Sequence, residues 1–451
     1  MDNYAFNKQE FQRYGRQMLI PFLGRSGQKA LLDSTVLVIG AGGIGSSLLM
    51  YLAASGVSLT IVDHDTVDIS NLHRQVIHDT ASAGLNKAIS ATQRLSALNP
   101  SGSYLAITDK LSCANALELV SCHSLVVDCT DNIDARYIIN DACVLANKPW
   151  VTASAIGMEA QVHVIVPYKT ACYRCLHADI SVAESCRSCS NVGILGPVAG
   201  MVGCLQAIEV IKLLAANSVQ SALISSSSMP SSLMDKQVYY DGYASDYMSL
   251  TLPPRHPQCT VCGDLPSMHT LADTEAFLND TRAHVQQCVS EHIGSLAEGY
   301  EVSPQTYHQL YHADSKVHVI LDVRPAVQFD LLRLQLPGLV LMPSLTQDSI
   351  ASSARYMVNI PFAQFQALRT LPSSAVLATA PVVCALQQLL ASIQQACQQE
   401  AVVYVLCRRG VDSKIITRVL RDQVQLPYQV FNLTGGCVAW SEQVDEGFPV
   451  Y

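Results

Sequence analysis

The chain has 451 residues, 49% hydrophobic and 14% charged, enough for two or three domains with filled cores. A formal net charge of -9 and the lack of a long basic run argue against direct nucleic-acid binding. No stretch reads as long and apolar enough for a membrane span, Met1-Asp-Asn-Tyr-Ala-Phe6 lacks a secretory pattern, and sixteen scattered cysteines suit a reducing, cytoplasmic compartment.

Residues 7 to 32 read as helix, because Phe11, Tyr14, Met18, Leu19 and Leu23 recur at helical spacing. Arg16 stands just ahead of that apolar face, where a solvated surface arginine is the plain reading. The next stretch, Val36-Leu-Val-Ile-Gly-Ala-Gly-Gly-Ile-Gly45, is an apolar run that breaks into glycines before a helical pattern begins. Strand, tight turn and helix are predicted. Gly40, Gly42 and Gly45 let the backbone approach a phosphate, and the helix-opening N–H groups attract anions. A second strand, Leu59 to Val62, ends in Asp63, where an acid suits a ribose hydroxyl. The turn alone fits nicotinamide-dependent oxidoreductases as well as other nucleotide binders.

The run Asp65-Thr-Val-Asp-Ile-Ser-Asn-Leu-His-Arg-Gln75 gathers polar groups at a strand's carboxyl end, where open α/β sheets bind ligands. Asn71 and Arg74 suit phosphate oxygens, and Lys87 follows on the next helix. Leu125 to Cys129 is a third strand running into Thr130-Asp-Asn132. Asp131 is placed to hold a magnesium ion bridging phosphates; the competing reading is a cap on the helix that opens at Asn132. Strands at 150–154 and 161–166 complete a parallel or mixed sheet with helices on its faces.

Cys172-Tyr-Arg-Cys175 and Cys259-Thr-Val-Cys262 supply the four thiolates of a tetrahedral structural zinc, which would staple residue 259 back to the first domain and end that domain near 265. Cys186-Arg-Ser-Cys189 is a third such pair, ahead of an apolar helix from Val198 to Leu214, and either cysteine could instead be a nucleophile. Residues 225–232 are low-complexity serine, and 266–300 read as a linker with some helix. In the last third, Val317 to Arg324 is a buried strand closing on Asp322 and Arg324. Val402 to Leu406 runs straight into Cys407-Arg-Arg-Gly-Val-Asp-Ser413 and a helix. Loop N–H groups, the helix N-terminus and Arg408 or Arg409 are expected to favour a Cys407 thiolate or persulfide. Leu433-Thr-Gly-Gly-Cys-Val-Ala-Trp440 closes the domain.

Together these residues resemble a known family over nearly the whole chain. Residues 1–265 resemble the MoeB/ThiF branch of the ubiquitin-activating superfamily through Arg13 to Gln17, the glycine turn, Asp63 to Asp65, Ser70-Asn-Leu-His-Arg74, Asp131-Asn132, both cysteine pairs and Gly193 to Leu214. Residues 301–451 resemble a rhodanese domain through Asp322-Val-Arg324, the Cys407 loop and Leu433 to Gly436. The fusion is similar to the eukaryotic adenylyltransferase and sulfurtransferase type. The fold so implied is α/β: a Rossmann-like adenylation domain with structural zinc, a linker over 266–300, and an α/β rhodanese domain.

The resemblance implies that Gly42, Gly43, Asp63, Ser70, Asn71, Leu72, His73, Arg74, Lys87, Asp131 and Asn132 hold ATP and magnesium. Arg16 would reach into a second subunit's active site, which implies a homodimer. Cys172, Cys175, Cys259 and Cys262 would bind zinc, Cys189 would capture the activated carrier, and Cys407 would carry a persulfide. The implied substrate is a ubiquitin-like sulfur carrier ending in Gly-Gly, destined for tRNA wobble-uridine thiolation or molybdopterin synthesis. Asp412 beside Cys407 would repel a small dianion, so a cysteine desulfurase or other protein persulfide donor is expected. The rivals are protein conjugation without sulfur transfer and a non-catalytic ubiquitin-like-binding scaffold. Three departures from the family pattern stand out: no proline-rich lead-in to Cys189, Val192 where glycine is frequent, and extra residues between Leu336 and Asn359.

Overall fold

The computed structural model describes residues 6–178, 193–219, 232–293, 296, 299–313, 315–342, 355–366 and 380–449. Cys186, Cys189 and most of the serine-rich stretch lie outside them. The chain divides into two units, Met1–Val285 and Gln286–Tyr451.

The first unit opens with α1 (Lys8–Met18) and α2 (Gly24–Asp33). The single helix expected over 7–32 is interrupted because Pro21 cannot donate to a helical ladder and Gly24 takes φ +53°. Asn7 and Glu10 form a reciprocal capping box at the start of α1, and Tyr14 is its buried residue. The chain continues through β1 (Thr35–Ile39), α3 (Gly43–Ala54), β2 (Ser58–Val62), α4 (Lys87–Leu98), β3 (Tyr104–Ile107), α5 (Ala116–Ser121), β4 (Leu125–Asp128) and α6 (Ile133–Leu145). It then forms β5 (Trp150–Ile156), β6 (Glu159–Ile165), α7 (Tyr173–Leu176), α8 (Gly196–Val219), β7 (Lys236–Asp241), β8 (Asp246–Thr251) and α9 (Leu271–Ile293).

Among the described residues the sheet order is β3-β2-β1-β4-β5-β6-β7-β8. β3 through β5 pair in parallel, and β6, β7 and β8 add antiparallel. The apolar runs of β1 and β4 are explained by burial on both faces, as parallel strands between helix layers require. The order reverses between β1 and β4, which opens a crevice at their carboxyl ends.

α8 corrects one expectation: Gly196–Ala216 is long and apolar enough to cross a membrane, with a mean hydropathy of 1.7. More than half of that window is buried inside the unit. A Cβ at Gly203 would overlap the Ile44 carbonyl and the Ser47 hydroxyl, so α8 and α3 meet backbone to backbone. Ser47 Oγ donates to the Gly200 carbonyl at 2.6 Å across the same contact.

α9 occupies the stretch read as a linker. Its Leu271 and Leu278 are buried in the first unit's core beside Tyr137, Cys172 and Cys262. The first unit therefore runs well past residue 265.

The second unit holds β9 (Glu301–Val302), α10 (Pro304–Ala313), β10 (Val317–Asp322), α11 (Ala326–Leu331), β11 (Val340–Met342), β12 (Arg355–Asn359) and α12 (Phe362–Gln366). It continues through α13 (Pro381–Cys397), β13 (Ala401–Leu406), α14 (Val411–Arg418), β14 (Gln429–Leu433) and α15 (Gly436–Gln443). Its sheet is parallel throughout, ordered β11-β12-β10-β13-β14-β9 among the described residues. β10 and β13 are buried along their whole length, and Asp322 pairs with Leu406 at their shared carboxyl end.

Candidate functional sites

The crevice between β1 and β4 is a cavity of about 270 Å³. Gly42, Gly43, Asp63, Arg74, Lys87, Asp131 and Asn132 all line it. The glycines of the turn have separate duties. Gly40 has φ +100°, and a Cβ there would stand 2.7 Å from the Cys129 carbonyl oxygen. A Cβ on Gly45 would overlap the Gly40 carbonyl, so these two glycines serve packing. A Cβ on Gly42 would meet nothing nearer than Gln75 Nε2 at 3.7 Å. Gly42 therefore leaves room for a ligand against the turn, at the opening of α3.

Asp63 is turned inward. Its carboxylate accepts from the Ala41 and Asp65 N–H groups at 2.8 and 2.9 Å, which shapes the turn before any ribose is present. Asp65, two residues on, holds the buried Lys87 ammonium at 2.9 Å. Burial opposes ionisation of Asp65, but the hydrogen bond and charge of Lys87 outweigh it and leave the carboxyl below its usual pKa. Asn71 fixes the Arg74 guanidinium through a 2.7 Å hydrogen bond. Ser70, Asn71, Leu72 and His73 themselves do not line the cavity, although the sequence grouped them with ligand-binding residues. Asn132 caps α6 by accepting from Ala135 N–H, so the cap falls to it and not to Asp131. The Asp131 side chain is exposed at the cavity rim.

Sequence reasoning missed Lys110 and Arg136, which also line the cavity. Arg136 stands one helical turn after Asn132, and that spacing was the available signal. Its guanidinium bonds the Thr130 and Ala153 carbonyls and approaches the fully buried Asp128 at 3.3 Å. Four cations, Arg74, Lys87, Lys110 and Arg136, line one crevice behind a glycine turn, together with the carboxylates of Asp63, Asp65, Asp109 and Asp131 and an apolar flank of Ile39, Val62 and Leu111. Cations for phosphate oxygens, carboxylates for hydroxyls or a divalent ion, and an apolar flank for a flat ring together suit a nucleotide. Arg16 is exposed on α1 and does not line the cavity of its own chain.

Cys172, Cys175, Cys259 and Cys262 bring their sulfurs within 4.8 Å of one another. Sγ separations of 3.8, 3.6 and 3.5 Å link 172 to 175, 172 to 259 and 175 to 262. A tetrahedral zinc with Zn–S bonds of about 2.3 Å requires sulfurs about 3.8 Å apart, so the four residues fit that ion. The Cys172 hydrogen bond, reinforced by the His256 backbone N–H, holds the Cys175 thiol down at about 6. Between the first two cysteines, Arg174 points away from the sulfurs and makes three hydrogen bonds to the buried Asp141, at 2.8 to 3.1 Å. Thr274 of α9 donates to the same carboxylate at 2.8 Å, and Phe277 lies 4.2 Å from the guanidinium. The cysteine cluster and α9 are therefore tied to one buried ion pair.

In the second unit Cys407 directly follows β13 and faces the start of α14. Its sulfur accepts from Gly410 N–H at 3.0 Å and lies 3.2 Å from Ser413 Oγ. The loop is braced from behind: Cys437 N–H donates to the Cys407 carbonyl, and Val438 N–H to that of Arg408. A Cβ on Gly436 would overlap the Cys407 carbonyl, which gives the Thr-Gly-Gly run its reason. The expected thiolate is corrected here. Cys407 is 2% exposed, and burial lifts its pKa above the usual value despite opposing hydrogen bonds from Ser413 and Arg409 N–H. The Arg409 side chain is exposed. Asp322 and Arg324 form a fully buried ion pair at 2.6 Å, with Asn359 bonding both of their carbonyls, and serve the scaffold.

A model of the ThiF family matches residues 14–261. The chain is 34% identical over 455 residues to an adenylyltransferase and sulfurtransferase MOCS3 of Danio rerio, covering 100% of this chain and 89% of that one. It is 35% identical to the Mus musculus protein of that name, covering 99% and 88%. It is also 35% identical to MOCS3-1 of Zea mays, covering 97% and 83%. Among solved structures, E. coli MccB with AMPCPP and MccA is 24% identical, with a TM-score of 0.49, over 58% of this chain and 76% of that one.

Proposed function

This chain belongs to the ThiF family, and from that premise we propose that it adenylates the C-terminal Gly-Gly of a ubiquitin-like sulfur carrier and then converts the carboxylate to a thiocarboxylate. The observation that carries the reading is the convergence of Arg74, Lys87, Lys110 and Arg136 around an open glycine turn. The carrier carboxylate attacks the α-phosphate of ATP and pyrophosphate leaves. Charge on the phosphates is offset by those cations and by the N–H groups opening α3, an electrostatic contribution that is usually the largest in such reactions. Asp131, free of capping duty, would hold magnesium, which when bound offsets further phosphate charge. Arg16 of a second subunit would complete the site, so the working form is a homodimer.

The Cys407 persulfide, loaded by a cysteine desulfurase or another protein persulfide donor, attacks the carbonyl of the adenylate through its outer sulfur, and AMP leaves to give an acyl disulfide on Cys407. Gly410 N–H and Ser413 Oγ are the groups at hand to hold the sulfur. Asp412 at the mouth of α14 discourages a small dianionic donor. Cys189 would hold the carrier as a thioester or resolve the acyl disulfide, which releases the thiocarboxylate and leaves a disulfide for an external thiol to reduce, and Cys172, Cys175, Cys259 and Cys262 would bind a structural zinc. The destination is tRNA wobble-uridine thiolation, molybdopterin synthesis or both, in the cytoplasm. Mass spectrometry of Gly-Gly carriers after incubation with this protein, ATP and a persulfide source tests the reading. Sulfur replacing one carboxylate oxygen supports it. Adenylate with no sulfur gain would favour a conjugation enzyme, and no carrier-dependent pyrophosphate exchange would favour a binding scaffold.

A further inference from the structure

His78 lies just beyond the polar run that follows β2 and takes no part in the chemistry above. Its ring is buried, 6% exposed, and both nitrogens are engaged. Nε2 lies 2.9 Å from the Ala41 carbonyl oxygen, and Nδ1 lies 2.8 Å from Ser90 Oγ on α4. A carbonyl can only accept, so Nε2 carries the proton; in the neutral ring Nδ1 then accepts from the Ser90 hydroxyl. Ala41 sits between Gly40 and Gly42, at the centre of the turn. Its N–H is already taken by Asp63 Oδ2 at 2.8 Å. The residue is thus gripped on both sides, by a strand-end carboxylate and by an imidazole. Between two glycines, with their wide conformational freedom, it is a residue at which side chains pin the turn, as Ser46 Oγ does at the Gly42 carbonyl.

We propose that His78 is a positioning residue for nucleotide binding: by holding the Ala41 carbonyl it fixes the peptides of the glycine turn so that their N–H groups face the phosphates. The strut also joins that turn to α4, which carries Lys87 at its first position, so two phosphate-seeking features move as one. Burial, aided by the Lys87 charge, lowers the His78 pKa against the Ala41 hydrogen bond and the charges of Asp63 and Asp79, which suits a neutral donor. The inference rests on the adenylation reading for its ligand.

The test is equilibrium binding of magnesium-ATP to the full-length chain, with carrier-dependent pyrophosphate exchange as a second readout. His78→Leu keeps bulk and removes both hydrogen bonds; His78→Gln can still place an amide N–H on the Ala41 carbonyl. His78→Leu is expected to weaken ATP about fivefold to tenfold per folded molecule, the equivalent of one hydrogen bond. His78→Gln should recover most of the loss, and sulfur loading of Cys407 should be unchanged in both. A purely structural role would lower melting temperature and folded fraction and leave affinity per folded molecule intact, which overturns the proposal. So would a Gln variant no better than Leu, or a wild-type chain that does not bind ATP. Wild-type chain that binds ATP yet catalyses no exchange sinks the adenylation reading alone, and the affinity comparison still decides the role of His78.

Discussion

Gly40 and Gly42 stand two residues apart in one turn, and the same substitution at each should have opposite consequences. Alanine at Gly40 must keep φ +100° and place its methyl 2.7 Å from the Cys129 carbonyl oxygen and 2.9 Å from its carbon. Strain of that backbone costs about 1–3 kcal/mol, and overpacking adds about 1–3 kcal/mol. At about 2–4 °C per kcal/mol for a unit of this size, the melting temperature of the first unit should fall by roughly 4–24 °C. Alanine at Gly42 meets ordinary van der Waals contact only, at φ -79°. Its stability should stay within about 1 kcal/mol of wild type. The added methyl occupies the approach to the turn, however, and loss of one charge-assisted contact, about 1.5–3 kcal/mol, weakens ATP about tenfold to a hundredfold. Differential scanning calorimetry and ATP titration on both variants read the two effects separately. Unchanged ATP affinity in Gly42→Ala would refute the assignment of the turn to phosphate binding, and a stable Gly40→Ala would refute the division of labour.

Three further outcomes follow from the same geometry. Removing one partner of the buried Asp322–Arg324 pair, as in Arg324→Ala, leaves an uncompensated carboxylate and should destabilise the second unit by about 3–5 kcal/mol in urea melts. The Cys407 thiol lies above its usual pKa, so its thiolate fraction rises as pH climbs through and beyond 9; alkylation by iodoacetamide should still be accelerating at that pH, and Ser413→Ala, which removes a stabilising hydrogen bond, should slow it further. An alkylation rate that levels off near neutral pH would contradict the burial argument. Chelator treatment should lower the first unit's melting temperature and open α9 to protease, because Thr274 and Phe277 anchor that helix to the segment carrying Cys172 and Cys175; protection equal to the untreated protein would break that link.

The parts of the molecule legible in the sequence are those where one local pattern fixes one backbone shape. An apolar run, glycines and a helical repeat can hardly be anything but β1, the turn and α3, and two Cys-x-x-Cys pairs announce their own meeting. What stayed hidden depends on where a side chain turns. Nothing in the order of residues says that Asp63 faces the Ala41 N–H, or that Asn132 and not its neighbour caps α6. α9 hid because its polar residues outnumber the few apolar ones, Leu271, Phe277 and Leu278, that dock it. The Cys407 loop misled for a related reason: two adjacent arginines suggested a charged pocket, whereas burial dominates the sulfur.

The cysteine cluster joins residues 87 positions apart in the chain, Cys172 with Cys259 and Cys175 with Cys262. A ribosome delivers the first pair long before the second. Until Cys262 clears the exit tunnel, the nascent chain can build β1 through β6 but cannot close this knot. The span between includes α8, whose packing partners α2, α3, β5 and β6 all precede it in the chain, so its apolar surface can be covered before the second pair arrives. Closure of the cysteine cluster is therefore a late event in the assembly of the first unit, after β1 through β6 and α8 have met.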